Sequence, residues 1–396
     1  FALRAPEVGG LDALISAPAL EGSLSFFPHL ERGPDGSFTT ASIDLVVSLL
    51  VIPLAVQWWS VWYPSAEPGG GGYVAQRMLA ARDEKHARAA VLLFNALYYG
   101  MRPWPWIIVA LCSIIVFPDL DSIARAFPNA DPSIINDDLA YPAMLERVLP
   151  HGWLGLVVAS LLAAYVSTIS THLNWGSSYI VHDFYTRFVR PGASESEQVL
   201  AGRVSTVIMM LVAAFFALQL SNALQGFQIL LQVGAGTGLI FILRWFWWRI
   251  NAISEVVAMV VSFVVAVGLQ LGDFGLAAWQ ELLTGISITT LCWVSTAIMT
   301  SPADPETLKS FCLHINPGGP GWRHVYEELR ADGTTPDSKP VNIPRGIVCM
   351  MLGCLAVYSV LFSTGFWIYG EALGGTVLAV TALAASAGIV RLRFND

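Results

Sequence analysis

The sequence predicts an all-α, polytopic helical membrane bundle, and three observations support this. The chain has 396 residues, of which 55% are apolar and only 13% charged. A soluble domain carries roughly 25% charged residues. The apolar residues also cluster in stretches of about 20, which is long enough to cross a hydrocarbon layer of about 30 Å as a helix. A soluble globular protein is therefore excluded.

Nine stretches are predicted to span the membrane. They cover residues 41–62, 89–118, 152–182, 200–220, 224–248, 251–271, 276–299, 344–368 and 372–390. The first five, within residues 41–248, would form a core, and the next two, within 249–300, would be peripheral. Residues 1–40 are expected to be an extracytoplasmic segment. Residues 301–343 are expected to be a cytoplasmic loop, too short and too polar for an independent domain.

The distribution of basic residues predicts the orientation. If the first span runs inward, 16 of the 21 Lys and Arg fall in cytoplasmic segments, as the positive-inside rule requires. We therefore expect a multi-pass protein of the plasma membrane, the inner membrane of a bacterium, with residues 344–396 forming the last two spans and a short cytoplasmic tail. The five cysteines are expected to be packing residues without a disulfide framework.

The third span is rich in small and hydroxylated residues. The hydroxyls of Ser167 and Thr168 and the carbonyl of Ala164, one turn earlier, offer three neutral oxygens to a small hard cation, and neutral oxygens suit sodium. An alternative stays open. Small hydroxylated residues also line tight helix contacts, or bond the carbonyl four residues back.

Aromatic and amide side chains in the first span indicate a pocket for an organic solute. Pro53 interrupts that helix, and Gln57, Trp58 and Trp59 follow. A broken helix is tolerated at membrane depth only around a cavity or a protein-buried site. The nearby aromatics at 62 and 63 fit an interfacial aromatic belt equally well.

Polar groups in two further spans have two interpretations each. Gln232 precedes three glycines within five residues, which mark a hinge, an unwound turn or a close helix crossing. It would contact a ligand or make an interhelical hydrogen bond. Arg102, well inside the second span, would recognise a carboxylate or serve a structural role, and the structural role is favoured.

Three segments together resemble the sodium:solute symporter family. The run AAYVSTISTHLNWGSSYIVHDFY, residues 163–185, resembles the family helix that carries a hydroxyl stretch and a D-[IFL]-Y ending. The run YVAQRMLAARDEKHA, residues 73–87, is similar to a cytoplasmic connector of the family. The fifth span from Phe227, with its exit RWFWWR, is similar to the tenth core helix.

The resemblance implies a leucine-transporter-type fold built on two inverted five-helix repeats. The first five spans would correspond to core helices six to ten, the second repeat, with the first repeat absent and the last four spans forming a C-terminal extension. The family's sodium site lies between core helices one and eight, and its helix-eight half maps onto Ala164, Ser167 and Thr168. The family's substrate contacts map onto Gln57, Trp58, Trp59, Asn95, Tyr98 and Gln232. The stretch PSAEPGGGG, residues 64–72, departs from sugar-transporting members by its length.

The function predicted is sodium-coupled import of a small organic solute by alternating access, with sodium as the coupling ion and no organic cofactor. The lipid bilayer is an expected partner, and nucleic acid is not. The spans contain no paired acids, bases or metal ligands in the sequence, so we do not expect an enzyme. A transporter-like sensor module and a proton-coupled transporter of the same fold are the alternatives.

Overall fold

The computed structural model describes residues 1–56, 59, 78–220, 223–272, 274–336 and 342–394. Within these ranges the chain is helical and contains no strand. The predicted residues Gln57 and Trp58 and the stretch 64–72 lie outside the described residues.

Nine apolar helices, labelled α1 to α9, follow the predicted spans. Their bounds are α1 Thr40–Ala55, α2 Glu84–Val116, α3 His151–Val189, α4 Glu195–Ala217, α5 Ala223–Leu243, α6 Ala252–Leu271, α7 Ala278–Met299, α8 Ile343–Ile368 and α9 Ala372–Phe394. Eight of them, α2 to α9, are long and apolar enough to cross a membrane, whereas α1 is shorter in the part that the structure describes. The predicted all-α, polytopic membrane protein is confirmed.

Polar caps explain why several helices begin before their predicted spans. The side chain of Asp83 accepts a hydrogen bond from the backbone of His86 and starts α2, and Ser194 does the same for Glu197 at the start of α4. Each cap satisfies one of the free N–H groups of a first turn. A hydropathy profile detects only the apolar part of a helix, so it does not detect a polar first turn.

Wide turns with i to i+5 hydrogen bonds precede two prolines. Residues Val47–Val51 form such a turn before Pro53, and Ala96–Met101 form one before Pro103. A proline ring clashes with the carbonyl four residues earlier in an ordinary α-helix. The wide turn gives that carbonyl more room, so α1 and α2 continue through their prolines instead of ending at them.

The chain divides into two compact units. Unit 1 consists of Phe1–Leu20 and Ile108–Gly226, and unit 2 of Glu21–Ile107 and Phe227–Asp396. In unit 1, α3 packs against α4, and a Cβ on Gly176 would lie 2.7 Å from the sulfur of Met209. Glycine therefore lets these two helices approach closely.

Within unit 2, α8 packs along α9 and against the wide turn of α2. Trp104 is 4% exposed, and its indole nitrogen donates to the carbonyl of Leu361 at 3.0 Å. The hydroxyl of Ser363 donates to the carbonyl of Gly375 at 2.7 Å. These bonds satisfy polar groups that a membrane interior would otherwise leave without partners.

The segment predicted as a loop between α7 and α8 contains two short helices, Pro305–Ile315 and Arg323–Ala331. We call residues Pro305–Ala331 the helical cap. Its core consists of Cys312, Trp322, Val325 and Leu329, and it packs against the half-buried Trp248 of the turn after α5. The cap thus has a core of its own that is completed by residues outside it.

Candidate functional site

The hydroxyl stretch of α3 lies on an exposed part of unit 1. The hydroxyl of Thr168 donates to the carbonyl of Ala164 at 2.9 Å, and that of Thr171 to the carbonyl of Ser167 at 2.9 Å. The alternative predicted from the sequence, a bond to the carbonyl four residues back, is therefore present. The Thr168 hydroxyl oxygen keeps its own lone pairs for an ion. The Ala164 carbonyl also accepts the backbone N–H of Thr168 within the continuous helix, so it would exchange one of its two hydrogen bonds for the ion.

These bonds bring oxygens together in a way that fits a small cation. The Ala164 carbonyl and the Thr168 hydroxyl oxygen are 2.9 Å apart, a separation at which both can contact one ion with ligand distances of about 2.3–2.6 Å. Ala164, Ser167 and Thr168 are all exposed in unit 1, so no packed side chain covers them there. The donor set consists of neutral oxygens, which suits a monovalent hard ion better than a transition metal.

The described part of the chain contains no cluster of side chains suited to a polyvalent metal ion. No group of three or more His, Cys, Asp or Glu is placed there to hold a metal ion. The five cysteines are free thiols, and Cys112 and Cys312 are buried.

Trp59, the described member of the predicted aromatic pocket, contacts the glycine segment of α5. Its indole nitrogen donates to the carbonyl of Ala235 at 3.2 Å. A Cβ on Gly238 would lie 2.0 Å from the carbonyl oxygen of Trp59. Since α5 is one continuous helix, the glycines serve a close crossing and not an unwound turn.

Asn95 and Tyr98 lie one turn apart on α2, and both are half-buried. The amide nitrogen of Asn95 donates to the carbonyl of Val91 at 2.8 Å. The Tyr98 ring stacks on Phe94 with centroids 5.0 Å apart. The exposed Arg102 places its guanidinium carbon 4.2 Å from the centre of the Tyr98 ring, a cation–π contact that accounts for a structural role.

Gln232 is the most buried of the predicted site residues that the structure describes. It is 7% exposed, and its amide nitrogen donates to a carboxylate oxygen of Glu281 at 3.1 Å. Its amide oxygen is buried and has no hydrogen-bond partner among the described residues. Sequence reasoning missed Glu281, although an acidic residue in the first turn of an apolar span is a recognisable signal.

The structure thus brings some of the predicted residues together. In unit 2, Trp59 contacts α5 at Ala235, which lies one turn beyond Gln232 on the same helix. Asn95 and Tyr98 belong to the same unit, and their described contacts are with their own helix. The α3 oxygens belong to unit 1.

Comparison with known proteins gives consistent matches. A family model, the sodium:solute symporter family, matches residues 40–262, more than half of the chain. The sodium/glucose cotransporter of Vibrio parahaemolyticus is 26% identical over 245 residues, which are 60% of this chain and 45% of the relative. The sodium/myo-inositol cotransporter 2 of Oryctolagus cuniculus is 30% identical over 205 residues, which are 48% of this chain and 29% of the relative. A sodium/mannose cotransporter of Bos taurus is 31% identical over 188 residues, which are 45% of this chain and 31% of the relative.

The matched region covers less than half the length of these curated relatives. Their names describe cotransporters, in agreement with the prediction that the chain is not an enzyme. The family match includes α1 to α5 and the first half of α6, and therefore both the hydroxyl stretch of α3 and the glycine segment of α5. With this match over most of the apolar helices, the chain belongs to the sodium:solute symporter family.

Proposed function

We propose that the protein couples inward sodium movement to the uptake of a small organic solute by alternating access, in the plasma membrane of a bacterial cell. The observation that carries this proposal is the pair of adjacent oxygens on α3, the Ala164 carbonyl and the Thr168 hydroxyl, within the family match. The N-terminal segment would lie outside and the C-terminus in the cytoplasm, following the distribution of basic residues.

The oxygens of α3 would supply one side of a sodium site. The Ala164 carbonyl, the Thr168 hydroxyl and the adjacent Ser167 hydroxyl give three neutral ligands, and further ligands must come from groups outside this stretch. An ion bound between α3 and another helix would favour the arrangement in which the two are close. Binding then shifts the population towards that arrangement by the difference in affinity between the two states.

The solute would meet the α5 side of unit 2. Trp59 and Gln232 offer an aromatic face and a buried amide there, and Asn95 and Tyr98 on α2 are the further candidates. The named relatives handle glucose, myo-inositol and mannose, so hexoses and inositols come first among the solutes to be screened.

The test is intrinsic tryptophan fluorescence of the purified full chain, titrated with sodium against potassium at constant ionic strength. Wild type should respond selectively to sodium. Thr168→Ala removes a proposed ligand and should raise the half-saturating sodium concentration at least about tenfold, which corresponds to about 1.4 kcal/mol. The matched control is Thr186→Ala, because the Thr186 hydroxyl makes the same bond, 2.9 Å to the carbonyl of His182, elsewhere on α3.

A solute screen then follows with the same signal. A hexose or inositol should alter the fluorescence in sodium and much less in potassium. The proposal is wrong if wild type does not distinguish sodium from potassium. If it does, but Thr168→Ala behaves like Thr186→Ala, the α3 oxygens are not the sodium site.

A further inference from the structure

Two carboxylates of unit 2 lie in apolar helices and are bonded by neutral donors. Glu281, in the first turn of α7, accepts from the amide of Gln232, and Asp44, in α1, accepts from the indole nitrogen of Trp279 at 3.2 Å. Neither carboxylate takes part in an ion pair within the described residues. Both carboxylates are half-buried near the beginnings of their helices, and a charge beside hydrocarbon is costly unless an opposite charge compensates it.

The amide oxygen of Gln232 is a second, independent sign of a missing ligand. The Gln232 side chain is more than nine-tenths buried, and its nitrogen points at the Glu281 carboxylate while its oxygen has no donor among the described residues. The positive end of the α7 dipole accounts for an acid at the start of that helix. It does not account for a buried acceptor left without a donor.

The backbone that carries Gln232 is held tightly. The hydroxyl of Ser262 donates to the carbonyl of Val233 at 2.7 Å, and a Cβ on Gly236 would lie 2.6 Å from the same hydroxyl. On the other side, Ala235 packs with Ile286 of α7 in a buried apolar cluster. The amide and the carboxylate therefore face each other across a fixed gap between α5 and α7.

We propose that Gln232 and Glu281 form a second sodium site, between α5 and α7. A half-turn of the Gln232 amide would put its oxygen where its nitrogen now lies, 3.1 Å from a carboxylate oxygen. Two oxygens at that separation repel each other unless a cation lies between them. Among the described residues, the Glu281 carboxylate alone lines this gap, and a single negative charge matches a monovalent ion.

The bound ion would satisfy both groups at once. The Glu281 charge gains a counter-ion, and the Gln232 oxygen gains a partner. The inference deepens the proposed function by adding a coupling-ion site, yet it depends only on contacts within unit 2.

The test is equilibrium binding of radioactive sodium to the purified full chain at fixed pH. Glu281→Gln removes the charge but keeps an acceptor for the Gln232 amide, so the helix contact is preserved. We expect it to weaken one class of sodium sites at least tenfold. The matched control is Glu371→Gln, which removes the charge of an exposed glutamate in the turn between α8 and α9 and should bind like wild type.

A second pair of variants separates this site from the α3 oxygens. Thr168→Ala should weaken a different class of sites, and the double variant Thr168→Ala, Glu281→Gln should lose both. Gln232→Leu removes the amide oxygen and should also weaken the Glu281-dependent class, which keeps the test usable if Glu281→Gln folds poorly.

Two results would overturn the second site. The first is that Glu281→Gln and Gln232→Leu both bind sodium like wild type. If Thr168→Ala is impaired in the same experiment, the second site is wrong while the proposed function stands. The second is a Glu281-dependent class of sites from which potassium displaces the radioactive sodium as effectively as unlabelled sodium does, because the site would then not select sodium.

Discussion

Replacing Gly321 with alanine tests how the helical cap is held. Gly321 lies against the turn after α5, and a Cβ at this position would lie 1.9 Å from the carbonyl oxygen of Phe246 and 3.3 Å from the Cα of Trp247. Both are backbone atoms, so no side-chain rotation relieves the overlap. Next to it, the indole nitrogen of Trp322 donates to the carbonyl of Trp245 at 2.9 Å. Gly321→Ala should therefore push the cap away from the turn.

The cost follows from the overlap. Forcing an extra methyl into a packed contact costs about 1–3 kcal/mol. At about 1.4 kcal/mol per factor of ten, the population of the opened cap should rise about 5- to 150-fold. Trp322 is 3% exposed, so its burial stabilises the closed state and is lost on opening.

Cys312 reports the opening. It is fully buried in the cap, and burial raises the pKa of its thiol to about 11. Only the thiolate reacts, so near-neutral labelling with a water-soluble maleimide must pass through the opened cap. The rate of maleimide labelling is measured on the peptide that contains Cys312. It should rise about 5- to 150-fold in Gly321→Ala, because it is proportional to the population of the opened cap.

The control is Gly353→Ala in α8, where an added Cβ meets nothing within 4 Å. Its Cys312 should react like that of wild type. A labelling rate of Cys312 in Gly321→Ala within twofold of wild type would refute the argument. Either the helical cap and the turn would then separate without a cost in free energy, or the helical cap would not be docked in solution.

Two further predictions concern packing and pH. Gly365→Ala would place a Cβ 2.2 Å from the Trp104 ring and should destabilise the α2–α8 contact by about 1–3 kcal/mol, seen as a lower thermal midpoint in detergent than for Gly353→Ala; an unchanged midpoint would contradict it. Burial raises the pKa of Tyr326 to about 12, so its neutral form stabilises the cap below pH 10 and that contribution is lost as the pH rises from about 10 to about 12. The absorbance difference at 295 nm between wild type and Tyr326→Phe should show a midpoint near 12, and a midpoint near 10 would show that the phenol is not buried.

The membrane helices could be located from the sequence because each carries one strong, local signal. Apolar runs of about 20 residues identify α2 to α9, but several ends differ from the predicted ones. Polar caps at Asp83 and Ser194 add a first turn to α2 and α4, the wide turn Tyr179–Val189 extends α3, and α5 ends early at Leu243. The helical cap between α7 and α8 was predicted only as a loop, since its average composition is polar. Its internal signal was present in Asp304 before a proline, and in the spacing of Trp322, Val325 and Leu329.

The candidate sites were less accessible to sequence reasoning, because they depend on pairs of helices. Gln232 stood out as an amide beside glycines, but its partner Glu281 lies 49 positions away and only packing joins them. Similarly, the contact between Trp59 and Ala235 spans 176 positions. The α3 oxygens could be predicted because all three lie within one turn of a single helix, where spacing alone determines proximity.

The wide turns before Pro53 and Pro103 have a consequence for evolutionary comparison. Each accommodates one residue more per turn than an α-helix does, so we expect a turn and its proline to be gained or lost together. Relatives that lack either proline are expected to be one residue shorter at that point, and an alignment without a gap there would misplace every helix position that follows. Comparing Gln57 or Trp104 with residues of other transporters therefore requires the wide turn to be located first.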